Sequence, residues 1–491
     1  MSAEDRSVPL YVDLDGCLLR TDTLWESFAA ALRANPLAAL FALCALVQGR
    51  AALKRRLATI GRPEVESMPT HERFVGWLRA QRARGRRIVL ATAADAMLAE
   101  QVAQTMRGEC GGELFDAVLS SDGRLNLKGP NKLAAIRAHA ADAPFDYCGN
   151  GPEDLPIFAR ARRAIVVGGS ARVVKAARRE SNVLEVFDSP PRGPARLRLW
   201  LRAMRPHQWL KNALVLVPLL TSFRVDEALS VADAALAFVA FSLAASSGYL
   251  LNDLLDLAAD RRHPRKRARP FASGELSVRS GFPMAAALLV ASIALAAAVG
   301  AAFLAWVFVY LAMTGLYSGF AKRVAMLDVA MLAGLYTVRV LAGGAAIGVE
   351  VSFWLLAFSV FLFFSLALVK RCGELVAQIE REEQTAEGRG YRSADLQVLQ
   401  SLGVATSCAA LVVLALYVQT PEVTLRYESP QLLWLMLVGI LILLGRTWLA
   451  TARGQMHDDP LVFVAEDRAS RWIVAVLLLL YAAAALVRWP F

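Results

Sequence analysis

The feature that most constrains this chain is a series of long apolar runs in its second part. About twenty residues of helix match the hydrocarbon thickness of a bilayer, and backbone polar groups inside a bilayer have to be satisfied within the helix. We therefore predict an all-α membrane domain of about nine transmembrane helices over residues 206–491. The runs lie at 212–222, 229–251, 282–300, 302–320, 326–346, 351–369, 401–418, 431–449 and 471–488.

The composition changes near residue 200, and the preceding part mixes charged and apolar residues as a soluble domain does. The formal net charge of +11 does not indicate a nucleic-acid partner. Many Lys and Arg residues lie in short loops between the apolar runs, which fits cytoplasmic membrane flanks and anionic phosphates. The chain is thus expected to be a two-part, multi-pass protein of the cytoplasmic membrane.

The cysteines show no CxxC pair, so neither a zinc site nor a disulfide framework is indicated. They are Cys17, Cys44, Cys110, Cys148, Cys372 and Cys408. The first residues, MSAEDRSVPLYVDLDG, lack the basic start and apolar core of a signal peptide. We therefore expect reduced thiols and a soluble part that stays in the cytoplasm.

The first part alternates short apolar runs with helical patterns, which favours a parallel sheet with helices on both faces. We predict a Rossmann-like α/β domain over residues 1–189, with its site at the carboxyl ends of the strands. Candidate strands lie at 8–12, 87–91, 117–119, 145–148, 164–167 and 183–186.

Polar residues follow several of these strands. Asp13 and Asp15 come after the first strand, and Thr92 comes after the second. Asp154 lies in a turn after a later strand, and Lys132 precedes that strand. This ordered set resembles the four motifs of the haloacid dehalogenase superfamily of phosphatases.

The resemblance implies a role for each residue. Asp13 would be the nucleophile that takes the phosphoryl group, and Asp15 the general acid and base. Thr92 and Lys132 would hold the phosphoryl oxygens, and Asp13, Asp15 and Asp154 would form a Mg²⁺ site. The chemistry agrees, because a carboxylate can attack phosphorus only when metal and cation offset the repulsion between two anions.

Two departures from the family pattern leave the activity open. The fourth motif commonly begins with Gly-Asp, and here it is Gly149-Asn150, with one fewer negative charge near the metal. Lys128 competes with Lys132 for the third-motif role. Retention of the fold with loss of activity is therefore an alternative.

Residues 22–80 are mostly helical in pattern, and the resemblance implies that they form a small cap that selects substrate. Within them, residues 36–47 (PLAALFALCALV) are apolar but too short to span a membrane. We predict a helix in the core of the cap, with contact at the membrane surface as the alternative. The basic residues beyond it suit anionic headgroups or solvent; they are Arg50, Lys54, Arg55 and Arg56.

A proline-rich boundary at 188–194 ends the soluble domain, and residues 190–205 are predicted to be a linker and interfacial segment. The pattern RPHQWLKN then opens the first span. This pattern resembles the polyprenyl-phosphate phosphoribosyltransferases, and the resemblance implies that Lys211 and Asn212 face a polar cavity. Alternatively, Trp209 and Lys211 are only interfacial anchors.

A second polar constellation follows the run 229–251. Asn252, Asp253, Asp256 and Asp260 share one face if residues 252–260 are helical. Carboxylates at this depth are costly, and a cluster of them suits Mg²⁺ together with substrate phosphates. The basic tract that follows would meet the same phosphates; it contains Arg265, Lys266, Arg267 and Arg269.

The segment NDLLDLAADRRHPRKRARPFASG resembles the first acidic motif, NDxxDxxxD, of the UbiA-type intramembrane prenyltransferase superfamily. The longer pattern, like RPHQWLKN, resembles its polyprenyl-phosphate phosphoribosyltransferase branch. The resemblance implies about nine spans, Mg²⁺, a polyprenyl phosphate acceptor and phosphoribosyl diphosphate or another diphosphate donor. Asp253 and Asp256 would be catalytic, and Asp253, Asp256 and Asp260 would hold the metal.

A second loop carries further candidates for phosphate binding, namely Tyr317, Lys322, Arg323 and Asp328. Relatives that prenylate aromatic acceptors commonly have DxxxD here, whereas this chain has Asp328 and then Leu332. That departure favours the phosphoribosyltransferase branch. Ionisable residues in later apolar runs are also candidate ligands: Arg339, Lys370 and Arg371. Glu374 is four residues from Lys370, so structural pairing is an equal alternative.

The leading hypothesis is transfer of 5-phosphoribose to a polyprenyl phosphate, followed by removal of the 5-phosphate in the soluble domain. A prenyltransferase with an aromatic or other small acceptor is the alternative enzyme, and a non-catalytic membrane scaffold is the alternative class. An odd number of spans puts the two termini on opposite sides. With the soluble domain inside, both motif loops, which follow the second and the fourth spans, lie on the cytoplasmic side. An oligomer is compatible with the sequence.

Overall fold

The computed structural model describes residues 7–109, 112–379, 390–456 and 459–487. Residues 1–6 of the predicted cytoplasmic start, Cys110 and residue 488 of the last apolar run lie outside the described residues. The five described cysteines are free thiols, as expected.

The six predicted strands form one parallel sheet with the order β3-β2-β1-β4-β5-β6. The central strand β1 pairs with β2 and β4, and all three of its residues are buried. The strands are β1 (Leu10–Val12), β2 (Ile88–Asp95), β3 (Ala117–Ser121), β4 (Asp146–Gly149), β5 (Arg163–Val167) and β6 (Val183–Phe187). The prediction of a Rossmann-like α/β domain is therefore confirmed.

Helices cover both faces of the sheet. The N-terminal helices are α1 (Thr23–Ala34), α2 (Pro36–Ala42), α3 (Arg50–Gly61), α4 (Glu72–Ala83), α5 (Ala96–Glu109), α6 (Pro130–His139), α7 (Leu155–Phe158), α8 (Ala171–Glu180) and α9 (Pro194–Met204). Leu10 and Val12 pack in one core with α4 and α5. Tyr11 points to the other face and packs in a second core with α6, α7 and α8.

Within residues 22–80, predicted to be a helical cap, α1, α2 and α3 pack around a core of their own, whereas α4 packs against the sheet. Asp22 accepts hydrogen bonds from Leu24 N and Trp25 N and begins α1, while Asn35 accepts from Ala38 N and begins α2. A 3₁₀ helix, Leu43–Gln48, continues from α2. The prediction of a core helix over 36–47 is wrong for its large side chains, because only the alanines of this stretch join the cap core.

The C-terminal part is helical. Its helices are α10 (Val217–Thr221), α11 (Ala228–Leu255), α12 (Leu257–Arg262), α13 (Val278–Val299), α14 (Ala301–Gly319), α15 (Leu327–Ala346), α16 (Phe353–Ile379), α17 (Leu396–Val418), α18 (Pro421–Arg426), α19 (Leu432–Ala452), α20 (Pro460–Glu466) and α21 (Arg468–Leu486). Among the described residues, eight helices are long and apolar enough to cross a membrane: α11, α13, α14, α15, α16, α17 with its preceding 3₁₀ turn, α19 and α21.

The first predicted span, residues 212–222, is not among these eight helices. Residues Pro206–Leu216 form a 3₁₀ helix, and α10 adds only five residues. Pro218 stands near the start of α10 and has no N–H to continue a regular hydrogen-bond ladder from the preceding turn. This run is therefore not one long α-helix.

The chain divides into two compact units. The first contains Met1–Met204 and Ser246–Ala287, and the second contains Arg205–Ala245 and Leu288–Phe491. The break after Met204 lies close to the predicted linker at 190–205. The inclusion of Ser246–Ala287 in the first unit was not predicted, and it places the first acidic motif with the α/β domain.

Candidate functional site

The end of β1 presents a buried carboxylate to a buried lysine. Asp13 Oδ1 accepts a hydrogen bond from Leu14 N at 2.9 Å and lies 2.8 Å from Lys132 Nζ. Burial raises the pKa of Asp13 to about 6, against the opposing effect of Lys132. The ion pair keeps a poorly solvated carboxylate beside a cation, as an attacking carboxylate requires.

Asp154 is held in the same place by the turn after β4. Its Oδ2 accepts from Asn150 N at 3.0 Å and from Gly151 N at 2.9 Å. Its Oδ1 accepts from the Tyr147 hydroxyl at 2.7 Å and lies 3.7 Å from Lys132 Nζ. Lys132 therefore stands between two carboxylates that the sequence separates by more than a hundred residues.

The structure distinguishes the two candidate lysines. Lys132 is buried on α6; burial lowers its pKa, but Asp13 and Asp154 outweigh this effect and raise it overall. Lys128 instead pairs with Glu153 at 2.6 Å, and both side chains are 40% exposed. Lys132 is thus the lysine at the site.

Asp15 is held by the start of the cap. Its carboxylate accepts from Thr23 N at 2.8 Å and from Thr23 Oγ1 at 3.1 Å. Burial, reinforced by Asp22 and Asp13, raises the pKa of Asp15 to about 7. A carboxyl group with a pKa near neutrality can both give and take a proton, as a general acid and base must.

Asn150, the departure from the family pattern, has a defined structural role. Its Nδ2 donates to the Asp15 carbonyl oxygen at 3.1 Å. Gly16 has φ +72°, and a Cβ there would lie 2.0 Å from Asn150 Nδ2. The glycine therefore makes room for the asparagine, which bridges the first and fourth motifs as a donor.

Thr92 and a cap lysine complete this group. Thr92 is fully buried in β2, and its Oγ1 accepts from Ala94 N at 3.0 Å. Lys54 of α3 donates to Ala93 O at 2.5 Å and to Asn126 Oδ1 at 3.0 Å. Burial lowers the pKa of Lys54, and Asp15 and Asp22 oppose that shift.

Sequence reasoning missed Lys54 at this site. The basic residues of this segment are predicted to meet headgroups or solvent, and that interpretation is wrong for Lys54. It is also wrong for Arg55, which pairs with Asp95 at 2.7 Å. The missed signal is helical spacing, because Ala51 and Ala58 are buried at three and four residues from Lys54.

The first acidic motif lies at the end of a membrane-spanning helix. Asp253 Oδ1 and Asp260 Oδ2 lie 3.1 and 2.6 Å from the same nitrogen, Arg269 Nη1. Asp253 and Asp260 are buried, and Arg269 is the basic residue that joins them. Two of the three predicted carboxylates therefore converge as expected.

Asp256 points elsewhere. The helix α11 ends at Leu255, and Asp256 is the residue between α11 and α12, with φ −101° and ψ 17°. Its Oδ1 lies 3.3 Å from Arg33 Nη1 in the cap. The prediction of one continuous helical face is wrong at this residue, although Asp256 N and Asp260 N keep their i−4 hydrogen bonds.

Asn252 is half-buried in α11, and Lys266 is exposed in a 3₁₀ helix, Lys266–Ala268.

The second unit contains its own buried charges. Arg371 Nε pairs with Asp328, and Arg371 Nη1 pairs with Glu374 Oε2 at 2.5 Å. Arg371 Nη2 donates to the Tyr317 hydroxyl at 2.7 Å, and the Tyr391 hydroxyl donates to Asp328 Oδ1 at 2.6 Å. Glu374 thus pairs with Arg371. Lys370, the partner considered from the sequence, is half-buried.

Arg339 organises a polar network inside the second unit. Its Nε donates to Asn212 Oδ1 at 2.9 Å, and Asn212 Nδ2 donates to Ser242 Oγ at 3.1 Å. The guanidinium also lies over the Tyr310 ring at 4.8 Å from its centre. Asn212 and Arg339 are therefore brought together, as sequence reasoning did not foresee.

Lys211 has a partner that sequence reasoning missed. Its Nζ lies 2.7 Å from Asp459 Oδ2, which also accepts from the Tyr336 hydroxyl at 3.0 Å. Lys211 is nearly buried, so it is more than an interfacial anchor. Lys322 and Arg323 lie in the 3₁₀ helix Ala321–Arg323, with Arg323 exposed.

The donor sets of the first unit fit Mg²⁺. In the described part of the chain, no three His, Cys, Asp or Glu side chains form a metal-binding group by themselves. Instead, two carboxylates lie beside one cationic side chain at each of two places. Asp13 and Asp154 lie beside Lys132. Asp253 and Asp260 lie beside Arg269. Mg²⁺ takes one or two carboxylates and completes its shell with water and phosphate oxygens, so these oxygen donors suit it.

The fold defines a multi-pass membrane protein with a Rossmann-like α/β domain. A family model described as the UbiA prenyltransferase family matches residues 215–463, about half of the chain. The chain belongs to this family.

Three relatives are similar in sequence to different shares of the chain. The chain is 36% identical to the uncharacterized protein y4nM of Sinorhizobium fredii, over 96% of this chain and 90% of that protein. It is 38% identical to nodulation protein NoeC of Azorhizobium caulinodans, over 55% of this chain and 88% of NoeC. It is 38% identical to decaprenyl-phosphate phosphoribosyltransferase of Corynebacterium glutamicum, over 36% of this chain and 54% of that enzyme.

Two solved structures match different parts. A UbiA homologue from Archaeoglobus fulgidus bound to GPP and Mg²⁺ has a TM-score of 0.45 and 18% identity, covering 59% of this chain and 100% of that chain. A hydrolase of the haloacid dehalogenase family from Salmonella enterica has a TM-score of 0.25 and 16% identity, covering 34% of this chain and 64% of that chain.

Proposed function

We propose that the chain is a bifunctional enzyme of lipid-linked sugar synthesis. The UbiA part transfers 5-phosphoribose from phosphoribosyl diphosphate to a polyprenyl phosphate, and the α/β domain then removes the 5-phosphate. The observation that carries the proposal is the convergence of Asp253 and Asp260 on Arg269 at the end of a spanning helix, in a chain similar to a phosphoribosyltransferase.

In the transfer step, an oxygen of the lipid phosphate forms a bond to the anomeric carbon, and the bond from that carbon to diphosphate breaks. The diphosphate leaves with the electron pair, so negative charge grows on its oxygens. Arg269 and Lys266 would bind these oxygens, and Asp253 and Asp260 would hold Mg²⁺, whereas Asp256, paired with Arg33, would not. Bound Mg²⁺ would supply charge neutralisation of the leaving group.

The remaining candidate ligands from the sequence lie in the second unit. Its candidate ligands are Lys211, Asn212, Tyr317, Lys322, Arg323, Asp328, Arg339, Lys370 and Arg371. Asp328 is paired with Arg371, and Leu332 replaces a second acid, so this loop carries little free negative charge. That balance suits a phosphate or sugar phosphate better than a second metal-held diphosphate.

In the hydrolytic step, Asp13 attacks the phosphorus of the 5-phosphate and the bond from phosphorus to the ribose oxygen breaks. Asp15 gives its proton to that oxygen. Water then attacks the aspartyl phosphate while Asp15 takes a proton, and inorganic phosphate leaves. Lys132 and Thr92 would hold the phosphoryl oxygens, and Asp13, Asp15 and Asp154 would hold Mg²⁺.

Fusion of the two activities gives the lipid product a high effective concentration at the second site. The positive residues in the motif loops support a cytoplasmic location for both activities, by the positive-inside tendency.

The test uses the full-length protein in liposomes with Mg²⁺, radiolabelled phosphoribosyl diphosphate and a polyprenyl phosphate. Wild type should form labelled lipid without a terminal phosphate, and Asp13→Asn should form labelled lipid that keeps it. Asp253→Asn should form neither. The control is Asp122→Asn, an exposed aspartate of the same domain, which should match wild type. Absence of labelled lipid with wild type and with Asp13→Asn would overturn the proposal.

Membership of the UbiA prenyltransferase family favours a second candidate, transfer from a prenyl diphosphate to an aromatic or other small acceptor. A donor-competition assay separates the two. Phosphoribosyl diphosphate should compete for the site under the first proposal, and a prenyl diphosphate should compete under the second.

A further inference from the structure

The cap carries an exposed apolar tip. Its six large side chains are Leu37, Leu40, Phe41, Leu43, Leu46 and Val47, and all six are exposed, with Phe41 at 71% and Val47 at 93%. The alanines between them, Ala39, Ala42 and Ala45, face the cap core. A contiguous group of large apolar side chains in water is unfavourable and indicates a surface that is normally covered.

The position of the tip identifies what covers it. Arg33 lies just before the tip; its Nη1 is 3.3 Å from Asp256 Oδ1 and 3.5 Å from Leu255 O, at the end of the spanning helix α11. The rings of Trp25 and Phe28 pack on Phe282, with centres 5.7 and 5.2 Å apart. Phe282 lies in the second turn of the spanning helix α13. Both contacts place the cap at the level where spanning helices end.

The charge around the tip agrees with a membrane surface. Residues 27–63 contain no Asp or Glu and six basic residues. Lys54 and Arg55 are engaged with the α/β domain, whereas Arg50, at the end of the tip, and Arg56 are exposed. Apolar side chains flanked by exposed arginines match a bilayer interface, where acyl chains lie beneath anionic headgroups.

We propose that the tip inserts into the bilayer on the side where α11 ends and thereby fixes the cap of the α/β domain at the membrane surface. The inserted length, Pro36–Ala42 with Leu43–Gln48, is too short to span, so the tip is an interfacial anchor. A cap held in this way presents the hydrolytic site to lipid-linked substrates. The proposal does not depend on which sugar or donor the enzyme uses.

Cys44 provides a probe at the tip, since it is exposed between Leu43 and Leu46. The full-length protein with Cys110→Ser and Cys408→Ser is labelled at Cys44 with a nitroxide and reconstituted in nanodiscs that contain anionic lipid. Power saturation then compares collisions with oxygen, which concentrates in acyl chains, and with a water-soluble nickel chelate. The control label is at Glu100→Cys, exposed on α5, with Cys44→Ser.

For an inserted tip, collisions of the Cys44 label with oxygen should exceed collisions with nickel several-fold, and the Glu100→Cys label should show the reverse. The triple variant Leu40→Ser, Phe41→Ser, Val47→Ser changes exposed side chains only, so it should fold, and its Cys44 label should gain access to nickel. Two results would overturn the proposal. One is a Cys44 label as accessible to nickel as the control, and the other is a label shielded from both reagents with dipolar broadening, which would show a second copy on the tip.

Discussion

Arg261 donates to both carboxylate oxygens of Glu26, with Nη2 2.5 Å from Oε1 and Nη1 3.2 Å from Oε2. The two side chains are only 6% and 4% exposed. Glu26 belongs to the cap helix α1, and Arg261 directly follows Asp260 of the acidic motif. One buried ion pair therefore joins the cap to α12, the helix that carries the predicted transferase carboxylate Asp260.

This pair should contribute to the stability of the first unit. Arg261→Met leaves the Glu26 carboxylate buried without its main counter-charge, which costs about 3–5 kcal/mol when a buried pair is broken. The melting temperature of the purified protein in detergent should fall. Adding Glu26→Gln to Arg261→Met should recover part of the loss, because the uncompensated charge is then removed.

The neighbouring residue supplies the control for this prediction. Arg262 pairs with Glu64 at 3.2 Å, but the side chains are 66% and 45% exposed. Such pairs contribute about 1 kcal/mol or less, so Arg262→Met should leave the melting temperature nearly unchanged. Equal effects of the two substitutions would contradict the structural account.

Lys132 and Lys128 form a matched pair for the hydrolytic site. Lys132→Met removes the cation between Asp13 and Asp154, and dephosphorylation of a supplied lipid-linked phosphoribose should fall on the order of 10²-fold or more. Lys128→Met removes only an exposed pair with Glu153 and should keep most of the activity. Initial rates of phosphate release measure both variants. A larger loss with Lys128→Met would assign the third-motif role to that residue instead.

Asn150→Asp tests why this chain departs from the family pattern. The new carboxylate would face the Asp15 carbonyl oxygen in place of a donor, at a cost of about 1–3 kcal/mol. The melting temperature in EDTA should fall below that of wild type. Since Mg²⁺ stabilises the state that binds it, added Mg²⁺ should raise the melting temperature of the variant by more than that of wild type.

Asn150→Ala completes this comparison. It loses the same hydrogen bond without adding charge, so its response to Mg²⁺ should resemble that of wild type. If Asn150→Asp had the melting temperature of wild type in EDTA, the hydrogen bond from Asn150 to the Asp15 carbonyl oxygen would contribute nothing to the stability.

The two activities should be separable by substitution. Asp253→Asn should lower phosphoribosyl transfer on the order of 10²-fold or more, because Asp253 and Asp260 would no longer together hold the Mg²⁺ that would neutralise the leaving diphosphate. Release of phosphate from a supplied lipid-linked phosphoribose should be unchanged. Asp226→Asn, an exposed aspartate before α11, is the control for transfer. Equal losses in both assays would indicate a folding defect.

Much of the architecture is readable from local pattern. Strand alternation predicted all six strands, and the length of the apolar runs predicted all eight spanning helices of the described residues. The prediction of one regular helix over the run 212–222 is wrong because Pro218 interrupts it, and the apolar length of a run does not take a proline into account. An apolar composition shows that a segment prefers lipid or a protein core to water, but it does not show which backbone conformation the segment adopts.

The candidate sites show the same division. Spacing brought Asp253 and Asp260 to one face, but Arg33, which is distant in sequence, pairs with Asp256. The resemblance left Lys132 and Lys128 as competitors, and only their partners in the folded chain separate them, Asp13 for Lys132 and Glu153 for Lys128. Lys54 and Asp459 were missed because each acts on an element far from it in sequence.

The sequence by itself determined the parallel α/β domain, the membrane part and the family, since these depend on short-range periodicity and on contiguous motifs. Only the tertiary structure decided which charges meet, which acid leaves its expected face and which side of the apolar cap segment is exposed. The physical reason is that a buried charge is stable only beside a partner, and partners such as Arg261 and Glu26 are more than two hundred residues apart along the chain.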